Sequence, residues 1–177
     1  AFGKLQQDDL NHFGQELYDQ FVQDNSAIET WSSLLKSATD RVITKCDALT
    51  DKPISNEEYR DFTEAMLMYG APHRGVKIIV DYLSVNELNQ YLGTLEDARL
   101  YAEPVFTRTE LIMKQFCEQV SKETGYTSHE IESMTLDEMN TFLDDGKLPD
   151  QKMLAKRYEL CIVHWVEGEE TLYVGDE

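Results

Sequence analysis

The 177-residue chain is 41% hydrophobic and 10% aromatic, which supplies a packed core and argues against a disordered polymer. Thirty-four acidic residues against 16 basic ones give a formal net charge of −18, a surface that repels phosphate backbones and anionic lipid. Nucleic acid and membranes are therefore excluded as expected partners, whereas a basic protein surface fits. Between Glu130 and Asp150 seven acidic residues face one lysine, and Glu167 to Glu177 holds five acidic residues and no basic one. Such runs read as solvated faces.

Leu10, Phe13, Leu17 and Phe21 recur at helical spacing and predict a first amphipathic helix from about residue 6 to 23. Asn25-Ser26 caps a second, with Ile28, Trp31, Leu35, Ala38, Val42 and Cys46 on one face. Ser55-Asn-Glu-Glu58 is a capping box that opens a third helix through Tyr59, Phe62, Ala65, Met66 and Tyr69. Gly70-Ala-Pro72 is expected to stop it, and a shorter helix from Val76 to Leu83 to follow. A second box, Ser84-Val-Asn-Glu87, opens a helix through Leu88, Tyr91 and Leu92, which Gly93-Thr94 interrupts or bends.

Pro104 suits the first turn of the next helix, placed from Val105 to Lys122. Thr107-Arg-Thr-Glu110 repeats the box pattern, and Leu111, Met113, Phe116, Cys117 and Val120 supply its apolar positions. Gly125 fits a left-handed helix stop. Thr135-Leu-Asp-Glu138 opens a helix ended by Asp144-Asp-Gly146, and Asp150 caps a last short one through Arg157. The period then shifts: Tyr158 to Val166 and Thr171 to Val174, joined by Glu167-Gly-Glu-Glu170, predict a β-hairpin. A lone hairpin is marginal in water, so it must pack on the helices or continue a sheet. The expected fold is mainly α, a bundle of about seven to eight helices over 1–157 with a β-hairpin over 158–177 that starts a following domain. The start at Ala1 and the end at Gly-Asp-Glu read as a piece excised from a longer chain.

Little in the sequence converges on a catalytic centre. The nine glycines are scattered, so no phosphate-cradling loop exists, and no Cys/His cluster has metal-ligand spacing. Cys46, Cys117 and Cys161 sit in apolar patterns and read as reduced, buried thiols, which suits the cytoplasm. Paired carboxylates such as Glu57-Glu58, Asp144-Asp145 and Glu169-Glu170 are adjacent in sequence and point apart. His12 reads as exposed, and His164 as a structural histidine on a strand with one buried face. Ala71-Pro-His-Arg-Gly75 is the most pocket-like segment: His73 and Arg74 are the weak ligand-binding candidates, since a guanidinium holds carboxylate or phosphate in bidentate fashion. The blander reading pairs Arg74 with a carboxylate of a neighbouring helix. No catalytic residue and no metal ligand is assigned.

From about Pro104 onward the features fall into a familiar order: "TGYTSHEIESM", then "TLDEMNTFLDDGKLP", then "LAKRYELCIVHWVEGEETLYVGDE". This order resembles the helical connector of phosphoenolpyruvate-utilising enzymes of the phosphoenolpyruvate synthase and pyruvate phosphate dikinase type. The matching positions are Met134-Thr-Leu-Asp-Glu138, Gly146 and Arg157-Tyr158. In that family the connector lies between the nucleotide-binding part and a swivelling phosphohistidine domain. The resemblance implies a parent enzyme that moves phosphate from ATP, with magnesium, to a histidine and on to pyruvate or another acceptor. This piece would be the spacer, with no catalytic residue or cofactor of its own and neighbouring domains as its partners.

The family's phosphocarrier motif runs Gly-Gly-x-Thr-Ser-His-x-Ala-Ile, and "TGYTSHE" echoes it. Gly125, Thr127 and Ser128 match around His129, but Thr124 replaces a glycine, Ile131 an alanine, and Glu132 an apolar residue. The segment lies between two helices, and Glu130 and Glu132 would repel phosphate. His129 is therefore expected to be an exposed first-turn residue, with Thr127 or Ser128 as the cap. The alternative to the connector is a free-standing acidic helical interaction or regulatory protein that docks on a basic surface. A third reading is an enzyme with its site at His73 and Arg74.

Overall fold

Helix dominates the computed structural model, which describes residues 2–166 and 169–175, with side chains described for 8–164 and 171–175. Eight α-helices precede a two-stranded antiparallel sheet: α1 (Phe2–Gln23), α2 (Ala27–Leu49), α3 (Asn56–Ile78), α4 (Val85–Ala102), α5 (Pro104–Thr124), α6 (Ser128–Glu132), α7 (Leu136–Asp145), α8 (Gln151–Glu159), β1 (Cys161–Val166) and β2 (Glu169–Val174). The mainly α architecture with a C-terminal hairpin is the one the periodicities predict. Two compact units divide the chain. The first holds the residues up to Ala48 and Asp61–Thr109, the second Leu49–Arg60 and the residues from Glu110 onward. No helix among the described residues is long and apolar enough to cross a membrane.

In the first unit α2 buries Ile28, Ser32, Leu35, Thr39, Val42 and Cys46. Their alternating spacing of four and three is a heptad seam. Trp31 and Ala38, expected on this face, are only half-buried beside it, and small Ser32 and Thr39 take the seam instead. Phe21 meets Tyr91 edge to face at 5.4 Å, and the Tyr91 hydroxyl donates to the Asn25 carbonyl at 3.2 Å.

Two expected helix stops fail. α3 runs unbroken through Gly70-Ala-Pro72, and the short helix expected from Val76 is its last turn, followed by a 3-10 turn at Ile79–Asp81. An interior proline costs about 3 kcal/mol, but fully burying an aliphatic side chain returns about 1.5–3 kcal/mol. Val76 and Ile79 are both fully buried downstream of Pro72, so packing wins. Likewise α4 continues through Gly93, because Tyr91, Leu95, Ala98 and Ala102 form one buried stripe across it. The expected box at Thr107–Glu110 also fails, since α5 already begins at Pro104 and the Thr109 hydroxyl donates within the helix to the Phe106 carbonyl.

In the second unit Tyr59 stacks on Phe116 with ring centroids 3.7 Å apart, and Ile112, Val120, Ile131 and Leu154 are buried. Two glutamines of α5 fasten the segment before α3. Gln119 exchanges hydrogen bonds with both backbone groups of Ile54, and Gln115 donates to the carbonyls of Leu49 and Lys52. Ile112 is buried, whereas Leu111 and Met113, expected in the core, are exposed. Cys46 and Cys117 are buried, and burial pushes the Cys117 thiol up to about 12, while Cys161 is half-buried.

Local signals place the chain's last third well. Thr127, Thr135 and Asp150 cap α6, α7 and α8, the first two as full capping boxes with Glu130 and Glu138. Gly146 ends α7 in the left-handed region at φ 68°. Helix α8 continues through Glu159, so β1 starts three residues later than expected, at Cys161. The strands pair from Cys161↔Val174 to Val166↔Glu169. Of the expected turn, Glu167 and Gly168 lie outside the described residues, and Glu169 and Glu170 belong to β2.

Candidate functional site

Helical geometry arranges a site on α3. Residues four apart stack on one face, so Tyr69, His73 and Lys77 share a line while Arg74 falls about 100° away. The His73 ring stacks on Tyr69 at 5.2 Å and meets Phe106 of α5 edge-on at 5.4 Å. Helix α4 adds Leu92, Leu95, Glu96 and Arg99, again one helical face. His73, Lys77 and these α4 residues line, with Glu103 and Phe106, a groove of about 550 Å³ that combines leucine and phenylalanine side chains with the charges of Lys77, Glu96, Arg99 and Glu103.

Burial holds the His73 imidazole below the ordinary histidine range, and the charges of Lys77, Arg99 and Arg74 push it further the same way. The ring is therefore neutral near pH 7. Burial raises the Tyr69 hydroxyl, aided by the Glu103 charge. That hydroxyl is buried with no hydrogen-bond partner among the described residues. Of the two weak ligand candidates, His73 lines the groove, whereas Arg74 is exposed and does not. Arg74 forms no ion pair to a carboxylate of a neighbouring helix among the described residues.

The other histidines are dispersed. His12 is exposed beside Glu16 at 3.3 Å. His129 is exposed in the first turn of α6, its ring stacked on Tyr158 at 4.4 Å and its Nδ1 3.2 Å from Glu132. His164 is half-buried and faces Tyr173 across the hairpin at 6.4 Å. The described part of the hairpin is only partly covered: Ile162 and Val163, neighbours on opposite faces, are 62% and 51% exposed, whereas Cys161, Leu172 and Val174 on the Val163 face are half-buried. Among the described residues no three His, Cys, Asp or Glu side chains converge on a metal position. The adjacent carboxylates go separate ways, Asp144 to Arg60 at 2.6 Å and Asp145 to Lys147 at 3.0 Å.

A second cluster joins the positions that carried the family resemblance. Arg157, 7% exposed, donates through both terminal nitrogens to Glu138 and through Nη1 to the Ser133 carbonyl. Glu138 in turn accepts from the Thr135 backbone at 2.9 Å. The Arg157 hydrogen bonds, followed by that from Thr135, hold its carboxyl below the ordinary range.

The chain matches no protein-family model, no curated protein and no solved structure.

The sequence singles out His73 but not the side chains that surround it in the groove. Lys77 was legible as the residue one turn on, whereas Arg99 and Phe106 come from other helices and left no local signal. Glu138 reads in sequence as a capping residue and Arg157 as a helix end, and no local signal says that the two meet.

Proposed function

We propose that this chain is a non-catalytic helical module, the connector of a phosphoenolpyruvate-utilising phosphotransferase that positions a swivelling phosphohistidine domain. The observation that carries this reading is how β1 is mounted. Arg157 stands four residues before it and is tied through Glu138 and the Ser133 carbonyl to α7 and the end of α6. A buried bidentate pair fixes direction as well as distance. Meanwhile the hairpin it anchors leaves Ile162 and its cross-strand partner Tyr173 exposed together on one face. A rigid mount carrying a hairpin with an exposed apolar pair suits a piece that hands over to a neighbouring domain.

ATP and magnesium do not fit this chain's own residues. It has no glycine-rich phosphate loop, and its described carboxylates do not converge. Both belong to other parts of the parent enzyme, and no phosphoryl-transfer step is assigned here. His129 is also a poor carrier, since its Nδ1 faces Glu132 and its first turn holds Glu130. The charge of −18 favours a second reading, a free-standing cytoplasmic regulator that docks on a basic protein surface.

The test uses the natural gene product, incubated with radiolabelled phosphoenolpyruvate. An acid-labile phosphohistidine on a polypeptide that contains this segment is the expected result. A natural product that takes up no label, and pulls down a basic partner instead, contradicts the connector reading and supports the second.

A further inference from the structure

The groove between α3, α4 and α5 has a charge pattern that the connector role leaves unused. In a chain of net charge −18, basic side chains readily find carboxylates: Lys36, Lys45 and Arg108 of the same unit pair with Asp97, Asp61 and Asp47. Lys77 and Arg99 do not. Both line the groove, and neither forms an ion pair among the described residues, although Glu96 and Glu103 line the same groove. Arg74 adds a third positive charge felt at His73. Two cations that make no ion pair among the described residues, beside apolar side chains, are an amphiphile's complement.

Volume and charge narrow the class. About 550 Å³ lies within the range of roughly 300–1,000 Å³ typical of small-molecule sites. Glu96 and Glu103 repel a multiply charged head and leave room for one negative charge. The exposed apolar faces of Leu92 (47%) and Phe106 (57%), with buried Leu95 between them, offer contact to a chain or ring. We propose that this groove binds a small amphiphile with an apolar body and a single carboxylate head, the head at Lys77 and Arg99 and the body on Leu92, Leu95 and Phe106.

Decanoate, kept below its micelle concentration, is the probe, titrated into the isotope-labelled 177-residue chain and followed by backbone and imidazole resonances. Saturable one-site binding is expected, with shifts confined to His73 and the faces of α3, α4 and α5 that line the groove. Decylammonium and decanol should bind at least about tenfold more weakly, because each loses the charge-assisted hydrogen bonds to the head. The double variant Lys77→Gln, Arg99→Gln should lose about tenfold or more in decanoate affinity while staying folded with only a small drop in melting temperature, since each side chain has no ion pair among the described residues to lose, only its place in the last turn of its helix. Phe106→Ala should weaken decanoate and decanol alike. Unsaturable binding, equal binding of decylammonium, or undiminished decanoate binding by the double variant would overturn the assignment. None of these outcomes bears on the phosphohistidine label, so the two proposals fail separately.

Discussion

Arg157 reaches back 19 residues to hold both carboxylate oxygens of Glu138, Nη1 to Oε2 at 2.5 Å and Nη2 to Oε1 at 2.9 Å. The arginine side chain is 5% exposed and the glutamate 25%. Removing one partner of a buried pair leaves the other charge uncompensated, a larger loss than the pair's own net worth. Glu138→Ala is therefore expected to destabilise the protein by about 2–4 kcal/mol, below the fully buried case because Glu138 is partly solvated. Urea unfolding measures it. Arg157→Lys should fall between wild type and Glu138→Ala, because an ammonium keeps the charge but not the fork.

The same pair sets a pH dependence. The Arg157 hydrogen bonds depress the Glu138 pKa in the folded state, so the unfolded chain takes up the proton first. Its stabilisation is present above the ordinary glutamate value of about 4.3 and is lost as pH falls through the lower folded value. The stability difference between wild type and Glu138→Gln should be constant from pH 7 to 5 and shrink below about 4. Glu58 is also held low, at about 2, first by the Ser55 backbone, and contributes equally to both proteins. A difference that does not change with pH contradicts the assignment.

What the sequence disclosed follows from the range of the forces involved. Caps at Ser84, Thr135 and Asp150, and the left-handed stop at Gly146, need only residues three or four apart and were legible. Gly70, Pro72 and Gly93 misled because their local cost is outweighed by burial of Val76, Ile79 and Leu95 on partners distant in sequence. His73 stands out in sequence beside Arg74, yet the side chains that line the groove with it are one helical turn away and on α4 and α5. The exposed Ile162–Tyr173 pair of the hairpin is not legible either, since alternation cannot say whether anything covers a face.

Two glycines inside helices should respond oppositely to alanine. At Gly14 of α1 an added Cβ would lie 2.1 Å from the Tyr82 ring, whose hydroxyl donates to the Asn11 carbonyl at 3.1 Å. The ring must move, so Gly14→Ala should destabilise by about 1–3 kcal/mol despite its better helix propensity. At Gly93 the space is open, and Gly93→Ala should stabilise by about 0.5–1 kcal/mol. Thermal unfolding of both variants checks the contrast, and two shifts of one sign would refute it.

The Tyr69 hydroxyl is buried with no hydrogen-bond partner among the described residues, while its ring stacks on His73. Tyr69→Phe keeps the ring and removes a buried, unsatisfied polar group. Stability should stay equal or rise by up to about 1 kcal/mol, where loss of a made hydrogen bond would lower it. A drop of that size in denaturant unfolding would show that the hydroxyl has a partner.

The most direct test of the connector account is to map the phosphorylated residue in the natural gene product after labelling with radioactive phosphoenolpyruvate. The account predicts label on a histidine outside residues 1–177, in a glycine-rich Thr-Ser-His segment of the same polypeptide, undiminished by His129→Gln. Label on His129, or none on any polypeptide that contains this segment, would contradict it.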